Sequence, residues 1–311
     1  MCTAISYNKK EKLFGRNLDV VCGYGEKVVI TPQNYNFKMK FVSDLTTHKG
    51  IIGTAAVIDG YPLYFDAMNE NGLCMAGLNF PNNAFYHTRV ADKTNIAPFE
   101  FIPFLLGKCE NIVDAEALLC DINIVNENFS ENLPLTPLHW MISDGEKSLT
   151  VESDKEGLHF YKNEVGVLTN NPPFLKQILN LEKYIDIFTK KQPQNNGEEG
   201  FSVGLDGVGI PGDYSSSSRF VKASFVKMRS PKNMVGEEAV NQFFKILSSV
   251  AMPKGCVITE TGECEYTRYS CCFDINKREC YYTTYNNPLP SKIILKNYDL
   301  NKGELIFVQN I

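Results

Sequence analysis

Among 311 residues no run of apolar side chains approaches the roughly 18 that a membrane-crossing helix needs. Residues 1–13 hold no apolar stretch of the length found in a secretory leader, so the expected location is the cytoplasm and no membrane insertion is expected. Basic residues are outnumbered: the formal net charge is -5, which argues against a nucleic-acid partner, because such proteins carry a basic face. Histidine is scarce at four residues, none with a recognisable partner in sequence, so each is expected at the surface or in packing. There is no P-loop, no H-E-x-x-H and no G-x-S-x-G elbow. Gly207-Val-Gly-Ile-Pro-Gly212 spells G-x-G-x-x-G, but Pro211 sits inside it and serines follow, where a dinucleotide site needs a strand before and a helix opening within. Cysteine, by contrast, is plentiful at ten. Five lie from Cys256 to Cys280 at gaps of eight, seven, one and eight, with no C-x-x-C pair and no histidine nearby. That spacing excludes an ordinary zinc site, so no metal and no cofactor are expected, and the thiols read as reduced small hydrophobes.

What is present is strand, then helix, then strand. Thr3–Tyr7 and Leu13–Asp19 flank the turn Asn8-Lys-Lys-Glu-Lys12 as a hairpin. Further strands are expected at Lys27–Thr31, Ile51–Ile58, Leu63–Phe65 and Leu73–Leu78, with Asp59-Gly60 and Asn71-Gly72 as turns. Helices are expected at Pro98–Lys108 and Ile112–Leu119. An amphipathic helix is expected over Pro173–Phe188, with apolar Phe174, Leu175, Ile178, Leu181, Ile185 and Phe188. Between them strands resume at Leu138–Ser143, Leu149–Glu152, His159–Lys162 and Gly166–Leu168. Gln192–Gly200 reads as a surface loop, Ser216–Met228 and Gly236–Val250 as helices. Strands close the chain at Tyr266–Phe273, Cys280–Tyr285, Lys292–Leu295 and Leu305–Val308. Runs of this kind imply an α+β fold of stacked antiparallel sheets covered by helices, in one domain over residues 1–311.

Chemistry is concentrated at the N-terminus. Cys2 follows the initiator methionine, whose removal would leave a thiol and a free α-amine on one residue. An α-amine titrates at about 7.7–8.0 and can serve as general base at neutral pH. A thiol titrating near about 8.5 needs little help to become a nucleophile, so no histidine is required. The hairpin returns Phe14-Gly-Arg-Asn-Leu-Asp19 to the start of the first strand, which places Arg16 and Asp19 near Cys2. An arginine there can stabilise a thiolate and an aspartate can orient the amine; the alternative is a surface salt bridge.

Met-Cys2-Thr-Ala, Phe14-Gly-Arg-Asn-Leu-Asp19, Met75-Ala-Gly-Leu-Asn79, Leu168-Thr-Asn170-Asn-Pro, Gly209-Ile-Pro-Gly-Asp213 and Ser218-Arg219-Phe, in this order, resemble the choloylglycine hydrolase family of bile salt hydrolases and penicillin V acylases. The resemblance implies the αββα four-layer sandwich of N-terminal nucleophile hydrolases. It implies Cys2 as nucleophile with its own amine as base, Arg16 beside the thiolate, Asp19 orienting the amine, Asn79 and Asn170 around the oxyanion, and Arg219 as a second active-site arginine. Amide N–H donors suit an oxyanion without adding charge, although Asn170, just before a proline and a helix, also suits a cap. Leu18, beside the motif, and Phe129, Leu133 and Leu135, in the apolar loop Asn128–Pro137, either contact the acyl group together with Asn79 or simply pack against the body. The resemblance further implies a homotetramer and hydrolysis of glycine- or taurine-conjugated bile salts. Penicillin V or another linear amide such as an acyl-homoserine lactone is the alternative substrate, and an inactive ligand-binding protein the alternative of another class. Within the resemblance, bile salt hydrolases tend to carry Asn at this motif position and penicillin V acylases more often Tyr, so Asn79 implies bile salts; a short amide leaves room beside the nucleophile that a tyrosine would fill.

Overall fold

The first hairpin sets the architecture. In the computed structural model, which describes residues 1–189 and 205–310, β1 (Cys2–Asn8) and β2 (Lys12–Val20) pair antiparallel from Cys2↔Leu18 to Asn8↔Lys12. Then come β3 (Lys27–Thr31), β4 (Ile51–Ile58), β5 (Tyr61–Asn69), β6 (Cys74–Asn79) and the short β7 (Thr94–Ile96). Two helices follow, α1 (Phe101–Lys108) and α2 (Ile112–Leu119), and then β8 (Ile122–Ile124), β9 (Leu138–Ser143), β10 (Ser148–Asp154), β11 (Gly157–Lys162) and β12 (Val167–Leu168). The remaining elements are α3 (Phe174–Glu182), α4 (Ile185–Thr189), α5 (Ser216–Arg229), α6 (Gly236–Ser248), β13 (Val257–Ile258), β14 (Cys264–Asp274), β15 (Glu279–Thr284), β16 (Ser291–Ile294) and β17 (Ile306–Asn310).

One sheet runs β12-β1-β2-β14-β15-β16, with β13 on β14; the other runs β11-β10-β9-β6-β5-β4-β3-β17. The pairs within both are antiparallel. Helices α5 and α6 lie on β1, β2, β12 and β14, while α1 lies on β4, β5 and β6. Two apolar clusters result. One fills the space between the sheets and under α5 and α6; the other lies between the second sheet and α1 and α2. Strands covered on both faces are buried almost end to end, as six of the seven residues of β1 are. This is the α+β stack of antiparallel sheets that the run of elements implied, in the αββα order that the family resemblance implied.

Three details depart from the sequence reading. The helix over Pro98–Lys108 opens as a 3-10 turn, Pro98–Glu100, before α1. The expected helix Pro173–Phe188 breaks after Glu182, where the Lys183 N–H closes back on Asn180 and Leu181; α4 restarts so that Phe188 meets Phe225 at 5.5 Å while Phe174 meets Phe220. Leu175 and Ile185 of its apolar set are exposed. Strands β7, β8 and β13 were not expected; two or three residues carry too little alternation to register. The segment Gln192–Gly200 lies outside the described residues.

Gly15, inside the Phe14-Gly-Arg motif, has no room for a side chain: a Cβ there would sit 1.9 Å from the Cys271 carbonyl oxygen of β14. Backbone cannot yield as a rotamer can. Gly15→Ala is therefore expected to destabilise the fold by roughly 3 kcal/mol or more, measured by denaturant unfolding. A change under about 0.5 kcal/mol would show that β2 and β14 separate freely.

Candidate active site

Strand alternation divides the N-terminal motif between two faces. Cys2, Ala4, Arg16 and Leu18 are matched in register and look toward the second sheet. Thr3, Asn17 and Asp19 look toward the helices: Asn17 Nδ2 donates to the Leu247 carbonyl at the end of α6. Arg16 is fully buried, and its Nη2 points straight at Cys2 Sγ. Its Nη1 donates to the Gly77 and Phe65 carbonyls of β6 and β5, so one side chain spans the gap between the sheets. Burial alone would lower this guanidinium; Cys2, then Tyr269, Asp66 and Cys271, outweigh it and raise it further, so it is a permanent cation.

Asp19 is also fully buried. Thr267 Oγ1 donates to its Oδ1 at 2.5 Å, and its Oδ2 has no hydrogen-bond partner. Burial pushes its carboxyl up, against the pull of Arg219 and of the N-terminal ammonium. The chain still carries Met1. Its amine donates to the Asp19 carbonyl at 2.6 Å and pairs with Glu265. Burial lowers this amine below its ordinary range, with Cys2 and Asp19 pulling the other way. The Cys2 nitrogen is therefore an amide here, and it donates to Asn170 Oδ1 at 2.9 Å.

Asn170 is the junction of the site. Its Oδ1 also accepts from Arg219 Nη2 at 2.7 Å, and its Nδ2 donates to the Asn79 carbonyl at 2.6 Å, leaving a second amide N–H. Neighbouring Asn171 turns instead to Pro81 and Asn83. Arg219 Nη1 holds the Cys2 carbonyl and Thr3 Oγ1 from α5. Cys2, Arg16, Asn79, Asn170 and Arg219 thus meet through direct contacts, with Asp19 on the far face beside the N-terminal amine.

The expected acyl contacts scatter. Leu18 is buried opposite Cys2. Phe129 packs on Tyr61 and Phe99, in the cluster beyond the second sheet, and Leu133 and Leu135 are half-buried on the same loop. The sequence reading missed Tyr24, which is 51 % exposed with its ring 5.9 Å from Phe65, whose carbonyl holds Arg16. It also missed Thr267 and Ser216, whose Oγ accepts from the Asn170 N–H. No motif marks either, since both act from distant elements. A cavity of about 330 Å³ lies at the other end of β1, by Ser6, Asn8 and Lys227, away from Cys2. No cluster of side chains able to hold a metal occurs among the described residues, and none of their helices is long and apolar enough to cross a membrane.

This constellation can do acyl transfer: a thiol against a guanidinium, a chain nitrogen beside it, and amide donors around one point. Comparison with known proteins agrees. The bile salt hydrolase/transferase of Lactiplantibacillus plantarum is 47 % identical over 98 % of this chain and 96 % of its own length. A conjugated bile acid hydrolase of Clostridium perfringens, solved as its C2A mutant, superposes with a TM-score of 0.92 at 32 % identity, over 100 % of this chain and 97 % of that one. The penicillin V acylase of Agrobacterium tumefaciens shares the fold, with a TM-score of 0.79 at 20 % identity over 98 % and 90 %. The model of the linear amide C–N hydrolases, choloylglycine hydrolase family, matches residues 2–308, and the chain belongs to that family.

Proposed function

We propose that the chain hydrolyses the amide bond of glycine- or taurine-conjugated bile salts, with Cys2 as nucleophile once Met1 is removed. The observation that carries the mechanism is the Arg16 guanidinium aimed at Cys2 Sγ, with the nitrogen of the same residue held by Asn170. Two relatives, at 47 % and 39 % identity over 98 % of this chain, bear the names bile salt hydrolase/transferase and conjugated bile acid hydrolase; these support the substrate class.

The freed Cys2 amine takes the thiol proton, and the thiolate, opposite Arg16, attacks the substrate carbonyl. The carbonyl oxygen gains the negative charge beside Asn79 and the spare N–H of Asn170. The C–N bond breaks as the amine's proton passes to the departing glycine or taurine, leaving an acyl thioester. Water, losing a proton to the same amine, then releases the bile acid and restores the thiol. The orphaned Asp19 Oδ2 supports a role in receiving the ammonium.

Leu18, Leu133 and Leu135, with Asn79, are proposed to border the acyl group; Phe129, expected there too, packs in the cluster beyond the second sheet instead. The reading includes one domain, a cytoplasmic location and a homotetramer; exposed Leu175, Leu179 and Ile185 give the assembly a candidate surface. Glycocholate, taurocholate and penicillin V assayed side by side test the substrate. The expected kcat/KM for a bile salt is at least roughly tenfold above that for penicillin V, about 1.4 kcal/mol in transition-state binding. Faster cleavage of penicillin V with no amino acid released would overturn the substrate, and no turnover of any of the three would favour an inactive binding protein.

A further inference from the structure

Behind the proposed oxyanion donors lies a buried pair that the mechanism above does not use. His139 on β9 and Glu152 on β10 are 0 % and 4 % exposed. His139 Nδ1 is 3.1 Å from Glu152 Oε1, and its Nε2 is 2.8 Å from the Thr169 carbonyl. A carbonyl only accepts, so Nε2 carries a proton. The ring lies flat against Phe80, with centroids 4.1 Å apart and planes at 7°.

These contacts bracket the segment that carries Asn170. The peptide between Thr169 and Asn170 is held from both sides, its carbonyl by His139 and its N–H by Ser216 Oγ at 2.8 Å. Downstream, Glu152 Oε1 accepts from the Phe174 N–H at 2.9 Å, so one His–Glu pair grips both ends of residues 169–174. Phe80 follows Asn79, whose carbonyl receives Asn170 Nδ2. One imidazole therefore touches both chain segments that present the asparagines. The other ionisable groups at this place are Tyr161, which feels the Glu152 charge, and His159, opposite Glu152 in register and bonded to Asp154.

We propose that His139, fixed by Glu152, is a positioning residue that sets Asn170 and Asn79 for the oxyanion. The proposal rests on the amide-hydrolysis reading and deepens it. It acts through the asparagines; the Arg16 contact that favours the thiolate lies on separate strands.

The test compares His139→Leu with the unaltered enzyme on glycocholate, and measures iodoacetamide labelling of Cys2 in both. The expected result is a fall in kcat on the order of 10²-fold, in the range for loss of one oxyanion donor. KM and the labelling rate should each stay within about threefold. A kcat within about threefold of the unaltered enzyme, or a labelling rate that falls in step with kcat, overturns the proposal. Should His139→Leu fail to fold, ¹⁵N NMR of the histidine rings in the unaltered protein decides: a proton on His139 Nε2 at pH 7 is expected, and a bare Nε2 overturns it. That arm needs no substrate, so failure of the substrate reading leaves it intact.

Discussion

Cys2→Ala is expected to lower turnover of a conjugated bile salt by at least about 10⁴-fold, the scale of losing a covalent nucleophile. The residue is nearly enclosed, and the change removes one sulfur atom, so the fold should persist with a Tm within a few degrees. The same loss should follow when the α-amine is denied without touching the thiol. Protein made with an uncleavable N-terminal extension keeps the Cys2 nitrogen as an amide, which cannot accept a proton at neutral pH, and it should be equally inactive. Intact mass of active enzyme should show one methionine missing. Full activity with the extension in place would remove the α-amine from the mechanism, and retained turnover in Cys2→Ala would remove the nucleophile.

Arg16→Leu should reduce kcat/KM by on the order of 10²–10³-fold, the range for one group preorganised toward charge in a buried site. Arg16 is the cation in contact with Sγ, and a leucine has nothing with which to favour the thiolate. Iodoacetamide labelling of Cys2 at pH 7 should slow with it, unlike in His139→Leu. Stability should fall as well. The Phe65 and Gly77 carbonyls lose their donor, and a buried group left unpaired costs about 1–3 kcal/mol. Activity within about fivefold of the unaltered enzyme, with unchanged labelling, would show that Arg16 only ties the sheets together.

The two arginines differ in how visible they were. Arg16 next to Cys2 followed from hairpin topology alone, because two antiparallel strands joined by a short turn admit few registers. That Asp19 faces away from the thiol follows from strand alternation once Cys2 is paired with Leu18, because Arg16 and Asp19 lie an odd number of residues apart; what each face packs against was decided only by the second sheet and the helices. Arg219 comes from α5, 217 positions along the chain from the Cys2 carbonyl it holds, so only the order of family motifs hinted at it. The amphipathic pattern over Pro173–Phe188 was read correctly as helix-forming but not as two helices. The aromatic contacts of Phe174 and Phe188 with α5 decide the break, and they are tertiary. His139 was read as a surface or packing residue, for its partners sit on two other segments.

From the residues alone came the first hairpin, the stacked antiparallel sheets, the family and the concentration of chemistry at Cys2. Each is local or cumulative: strand alternation, turn residues and motif order are written along the chain. Tertiary structure alone decided what surrounds that chemistry. Gly77 anchors Arg16 from 61 residues away, Thr267 meets Asp19 from 248, and His139 holds the peptide before Asn170 from 30. Those contacts exist because two sheets stack face to face and enclose polar groups that must then be satisfied, and no periodicity within one strand records what the opposing strand presents.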